Sequence, residues 1–245
     1  LQFVFFIHPI AQNKNYHCFS DDRILIGIPN FWNVISNIPF LIIGFLGMFL
    51  IFKQRQIGIY LGLSKNSFVF FLGIFFTGIG SSYYHFCPTN QTILWDRLPM
   101  TISFMSFFSI VIGEFICVRT GKKILLPLVI VGLMSVFYWQ ISESRGNGDL
   151  RFYAVIQFLP IILIPIIILF YGNDTNRKNY FWLILIFYAI AKLFEATDEF
   201  VFNLNHFISG HSLKHFTAAV GPLLFLIVLS KQKGFTKLKL MRIRL

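Results

Sequence analysis

Long apolar runs, broken at short intervals by polar and basic clusters, set the pattern of this chain. A helix crossing the ~30 Å hydrocarbon layer needs about 20 mainly apolar residues, because each adds ~1.5 Å. Seven segments meet that length, at approximately 31–52, 67–86, 97–118, 124–142, 152–171, 180–203 and 208–230. The period-two alternation of a transmembrane barrel is absent from the sequence, so a barrel is not expected. The pattern predicts an all-α polytopic membrane protein, a seven-transmembrane-helix bundle. Residues 1–30 precede the first span, 31–230 form the helical domain, and 231–245 form a basic tail. The opening stretch LQFVFFIHPI is too short to span and reads as the remnant of a signal or anchor segment.

Composition agrees with the pattern. Hydrophobic residues make up 56% of the 245, charged residues 13%, and mean hydropathy is +0.70. A soluble domain carries roughly 25% charged residues. Phe occurs 32 times, which suits lipid-facing and inter-helix packing better than a wet surface. No internal repeat and no polar stretch long enough for a second domain is present in the sequence.

The 21 basic residues set the expected orientation. Lys53, Arg55 and Lys65 follow span one, Arg119, Lys122 and Lys123 follow span three, and Arg177 and Lys178 follow span five. Lys231, Lys233, Lys237, Lys239, Arg242 and Arg244 follow span seven. These fourteen fall on one side, against five on the other: Lys14, Arg23, Arg97, Arg145 and Arg151. Lys192 and Lys214 fall within spans. Positive charge favours the cytoplasmic side, so the N-terminus is expected outside and the C-terminus in the cytoplasm of a multi-pass cell-membrane protein. The net charge of +11 therefore calls for no nucleic acid; the tail fits attraction to anionic lipid headgroups. Cys18 and Cys87 share the expected outer side, where they are either a pair or two free thiols.

Ionisable residues inside a bilayer are costly and tend to pair or to line a functional cavity. Span two ends in GIGSSYYHF, span three opens with WDRLPM, span six carries KLFEATDEF, and span seven opens with GHSLKH. Ser81 and His85 are four apart, as are His211 and His215, so each pair shares a helix face. Histidines at i and i+4 are a common way for one helix to offer two metal ligands. His85 is distant in sequence, but span two ends and span seven begins at the same expected outer end, which also holds Asp96. Three neutral imidazoles around zinc leave a fourth position for water, whose pKa falls to about 7. A carboxylate such as Asp96 is suited to move that water's proton, and a hydroxyl such as Ser81 to stabilise an oxyanion. That set of groups suits hydrolysis of an amide or ester.

Plainer roles compete. A single His at a span end is more often an interfacial hydrogen-bonding residue, and a Ser in a span usually bonds back to its own helix. Ser82 serves as well as Ser81 on spacing alone, and Asp96 has Arg97 beside it as an ion-pair partner. His8, His17 and His206 have no comparable company and are expected in loops or at the interface. Lys192, Glu195, Asp198 and Glu199 read first as a structural polar network, with a supporting role at the site for Glu195 or Asp198 as the alternative. Asp149 and Arg151 in GNGDLRFY read as turn and interface anchors, and Trp32, Trp95 and Tyr153 as headgroup-layer aromatics.

Three blocks, FWNVISN at 31–37, SSYYHFCPTNQTILWDRLPM at 81–100 and GHSLKHFTAA at 210–219, resemble the alkaline ceramidase family. That family belongs with the seven-span hydrolases that include adiponectin-receptor-like proteins, and the resemblance covers roughly residues 20–225. It implies a zinc site at His85, His211 and His215, with Ser81 (in preference to Ser82) and Asp96 assisting, and hydrolysis of the ceramide amide to a sphingoid base and a fatty acid. The partners implied are a membrane lipid substrate and the bilayer, with the active site near the outer face. The chain departs from the family at FSDDRILIGIPNFWN: Asn30 stands where the family's calcium site has Glu, and there is no Asp-Trp pair. Calcium dependence, and ceramide itself as substrate, are thereby put in question. FSDDR and GDLRFY resemble a bacterial branch. The expected function is a zinc-dependent amidase acting on a ceramide-like or other N-acyl lipid. The alternative is a receptor-like or sensor protein with structural zinc, and retention of Ser81 and Asp96 favours the enzyme. A transporter is disfavoured, because broken spans paired in two halves are not visible.

Overall fold

The computed structural model describes residues 8–56, 62–172 and 175–242, with side chains except at 14, 54–56, 175–176 and 232–242. The first seven residues of the opening apolar stretch, and the basic side chains of the tail beyond Lys231, lie outside that description.

Nine α-helices follow a single 3₁₀ turn at Lys14–His17 among the described residues. They are α1 (Phe31–Ile35), α2 (Ile38–Gln56), α3 (Ser64–Phe86), α4 (Ile93–Phe115) and α5 (Val118–Ser144). The rest are α6 (Arg151–Tyr171), α7 (Thr175–Ala196), α8 (Asp198–Asn205) and α9 (Gly210–Arg242). Seven stretches are long and apolar enough to cross a membrane, as the hydrophobic pattern predicts. Three of the departures from that pattern bear on the site. The first span is kinked between Ile35 and Ile38, where the Ser36 and Asn37 side chains bond back to backbone carbonyls. The third begins at Ile93, which brings Asp96 inside its first turn. The sixth stops at Ala196, and the polar DEF segment starts the separate short helix α8.

Helix α3 packs between α2 and α4, α4 also meets α5 and α6, and α9 lies against α7 and α2. Small residues let the backbones approach, as in membrane bundles generally. A Cβ on Gly80 of α3 would overlap the Trp95 carbonyl of α4 and come within 3.3 Å of Asp96 N. One on Gly73 would meet Ser103 N at 2.9 Å. In the half of the bundle away from the histidines, aromatic rings fill the core. Phe71 stacks on Phe225 at 5.7 Å between centroids, and Phe107 on Phe181 at 5.7 Å.

The segment before α1 crosses the histidine-bearing end of the bundle. Ile10 O accepts from Leu150 N at 2.8 Å, and Ser20 N donates to Asp198 Oδ2 at 3.1 Å. Arg23 closes the crossing: its guanidinium holds both oxygens of Asp21 at 2.7 Å and donates to the carbonyls of His206 and Phe207 at 3.1 and 2.6 Å. Cys18 and Cys87 are both free and exposed, which settles them as two thiols.

Candidate active site

Two helix ends meet beneath that segment. His85 comes from the last turn of α3, while His211 and His215 come from the first two turns of α9. Their four-residue spacing puts both α9 imidazoles on the face turned to α3. All three are buried, at 1%, 6% and 4% exposure. One ring nitrogen of each lies within 4.8 Å of the others, and among the described residues this is the one group of three or more His, Cys, Asp or Glu so arranged. His85 Nε2 and His211 Nε2 are 3.3 Å apart. Two nitrogens each ~2.0–2.1 Å from a tetrahedral zinc lie about 3.3–3.4 Å apart, so the pair already has the spacing such an ion demands. The donor set fits: three buried imidazoles, with no thiolate to close a fourth position.

The surrounding groups orient the ligands. Ser36 Oγ is 2.7 Å from His215 Nδ1. Asn30 Nδ2 donates to His85 O at 2.9 Å, and Asn33 Oδ1 accepts from Ser212 Oγ at 2.7 Å. Asp198 Oδ1 accepts from His211 N at 2.6 Å, an acidic group at the start of α9 where free N–H groups favour one. The Phe19 ring lies 4.7 Å from both His85 and His211, covering the centre from the crossing segment.

Ser81, Asp96 and His215 line one cavity of about 440 Å³, whose inner walls are apolar and include Phe70, Phe104 and Phe107. Ser81 is 2% exposed and close enough to Asp96 for their side chains to interact, a proximity that the tight Gly80–Trp95 approach enforces. Ser82 turns the other way and donates to Val34 O at 3.2 Å. Arg97 forms no ion pair with Asp96. Its Nη2 donates to Gln12 Oε1 at 2.6 Å, and its guanidinium lies 4.2 Å from the Trp139 ring centroid.

Several residues have roles that the sequence did not disclose. His17 bonds Tyr84 Oη at 2.8 Å and Asn90 Oδ1 at 2.7 Å, which ties the crossing segment to the α3–α4 loop. Tyr153, expected among the headgroup-layer aromatics, is buried at 7% exposure in the bundle with the Arg97 guanidinium over its ring. Glu195 is paired with Lys192 at 2.5 Å and Lys214 at 2.9 Å, while Asp198 works separately as a helix-start acceptor. Lys214 follows His211 by three residues, a spacing that signals a shared face. Ser36 lies inside the block FWNVISN, but nothing in that block names His215 as its partner. Both oxygens of Asp21, in the stretch where the chain departs from the family's calcium site, are held by Arg23.

A family model described as ceramidase matches residues 17–237, a stretch that contains every residue of this centre. No curated protein matches the chain.

Proposed function

The chain belongs to the ceramidase family, and on that premise we propose that it is a zinc-dependent hydrolase that cleaves the amide of a ceramide-like or other N-acyl lipid within the membrane. The observation that carries the zinc reading is the buried convergence of His85, His211 and His215, two of whose nitrogens are already 3.3 Å apart. A zinc ion held there supplies a water acidic enough to attack a carbonyl at neutral pH.

The rest falls to side chains of this chain. Asp96, which lines the cavity beside His215, accepts the proton of the attacking water and returns it to the leaving nitrogen. Water oxygen adds to the carbonyl carbon, the C–N bond breaks, and a fatty acid and an amine result. Ser81, within reach of Asp96, donates to the developing oxyanion or orients the carboxylate. The apolar walls below receive the acyl chain, so that the amide stays at the polar end. His85, His211 and His215 are the proposed ligands, and Ser81 and Asp96 the catalytic pair. Charge asymmetry supports an outside N-terminus, a cytoplasmic C-terminus and a site near the outer face of the cell membrane. The proposed division of the chain is 1–30, 31–230 and 231–245.

Purified protein incubated with a panel of N-acyl lipids is expected to release fatty acid, to stop when zinc is chelated, and to resume when zinc is restored. Zinc bound by folded protein with no lipid turned over would favour a structural metal in a receptor-like or sensor protein.

A further inference from the structure

Besides the histidine and three tyrosines, five charged side chains line the cavity: Asp96, Arg97, Lys192, Glu195 and Lys214. Three are cations and two are carboxylates, so the cavity is net positive before any metal is added. Arg97 donates through Nη2 to Gln12 and lies against the rings of Trp139 and Tyr153 at 4.2 and 4.9 Å, which holds its guanidinium away from the histidines even though Nη1 makes no hydrogen bond. The two lysines share one carboxylate: Lys192 Nζ is 2.5 Å from Glu195 Oε2, and Lys214 Nζ is 2.9 Å from Oε1. One carboxylate cannot neutralise two ammonium groups. Lys192 is 37% exposed, but Lys214 is only 18% exposed, and an incompletely balanced charge beside apolar walls is costly until a ligand brings its counter-charge.

Lys214 also stands at the histidine centre, with its Nζ 3.1 Å from His211 Nε2. That nitrogen has one lone pair, so it cannot accept from an ammonium and hold a metal at once. Loading the centre therefore frees a donor of Lys214, while Glu195 still anchors the side chain beside the cavity. A donor so placed meets whatever is attached to the nitrogen of an amide held at the histidines. In an N-acyl amino acid the carboxylate carbon is two bonds from that nitrogen, within the reach of a lysine that already touches a ligand.

We propose that Lys214, braced through Glu195 and Lys192, receives an acidic group borne next to the scissile amide. The preferred substrates are then N-acyl lipids with a carboxylate beside the amide nitrogen rather than neutral ones. The proposal rests on the hydrolase reading and narrows its substrate class.

N-oleoylglycine and N-oleoylethanolamine have the same acyl chain and amide, and differ in a carboxylate against a hydroxymethyl group. Two quantities are measured for each: kcat/KM with the zinc-loaded protein, and equilibrium binding to the Asp96→Asn protein. Both are expected to favour the glycine conjugate by about ten- to a hundredfold, the scale of one charge-assisted hydrogen bond. Both ratios are expected to fall towards one in Lys214→Gln, with zinc content and a melting curve showing that the variant is folded. The unsubstituted protein decides the question even if the variant fails to fold, since an equal or better reaction with the ethanolamide overturns the proposal. A preference that survives in folded Lys214→Gln overturns it too. Charge-selective binding without oleate release would keep the acidic ligand and reject the hydrolase reading; release without charge selectivity would do the reverse.

Discussion

Ser36 Oγ is 2.7 Å from His215 Nδ1 and also donates to Asn33 O at 3.2 Å. With Asn33 O as an acceptor for its own proton, the hydroxyl is placed to accept from an imidazole N–H. That arrangement suits the tautomer with its proton on Nδ1, which leaves the Nε2 lone pair for a metal. Partners of this kind fix the tautomer and ring orientation of metal-binding histidines.

Ser36→Ala is accordingly expected to weaken zinc binding by about ten- to a hundredfold. Competition against a chelator of known affinity measures it. An affinity equal to that of the unsubstituted protein would remove Ser36 from the account.

Lys214 acts on the metal in the opposite sense. It competes for His211 Nε2 at 3.1 Å and places a like charge beside a cation. Lys214→Gln is expected to bind zinc more tightly, by about tenfold, because both the competition and the repulsion disappear. The same chelator competition reads it, and weaker binding would show that the lysine supports the centre.

Asp198 joins the crossing segment to the start of α9 by accepting from Ser20 N at 3.1 Å and His211 N at 2.6 Å. Asp198→Ala is expected to cost about 1–2 kcal/mol, the scale of a lost helix cap with its charge. A lowered melting temperature and faster proteolysis before residue 30 would register it. Unchanged values of both would mean that the segment is held without it.

Arg23 ties Asp21 to the carbonyls of His206 and Phe207, so that a guanidinium already balances this carboxylate. Removing calcium from zinc-loaded protein with a calcium-selective chelator is expected to leave the melting temperature and the rate of fatty-acid release unchanged. Arg23→Gln is expected to lower the melting temperature, and added calcium should not restore it. A calcium-dependent rate would place a cation site elsewhere in the chain.

The start of α6 provides a pH test. The Arg151 guanidinium holds the Asp149 carboxyl at a pKa of about 2, with Tyr138 Oη donating as well at 2.9 Å. The folded value lies below the ordinary one of 3.8, so the carboxylate stabilises the fold above that value. The contribution is lost as pH falls through the window from 3.8 to about 2. Melting temperatures of wild type and Asp149→Asn should differ at pH 5 or 6, roughly, and converge across that window. A constant difference would assign the effect to packing.

The spans were legible because a membrane helix states its length and apolar character in the chain itself, and all seven were found that way. The kinks were not. The break at Ser36 and Asn37 depends on side chains bonding to their own backbone, inside a run that hydropathy reads as continuous. The histidines were legible because i and i+4 on one helix, and a shared end for two helices, follow from spacing and span order. Lys214 had the same spacing signal from His211, but its bond to Glu195 crosses between α7 and α9, and no local pattern announces it. Spacing alone leaves Ser81 and Ser82 equal; which of them lines the cavity depends on the face of α3 that meets α4 at the close approach of Gly80. The burial of Tyr153 was not legible, because an aromatic at a span start faces lipid or the bundle according to what packs on it, here Arg97.

The most direct test pairs two numbers from each purified sample: zinc per chain, and initial rate of fatty-acid release from an N-acyl lipid. The account predicts zinc and release in the wild type, neither in His215→Ala, and zinc without release in Asp96→Asn. Release that persists in His215→Ala without zinc, or a rate in Asp96→Asn equal to wild type, would contradict it.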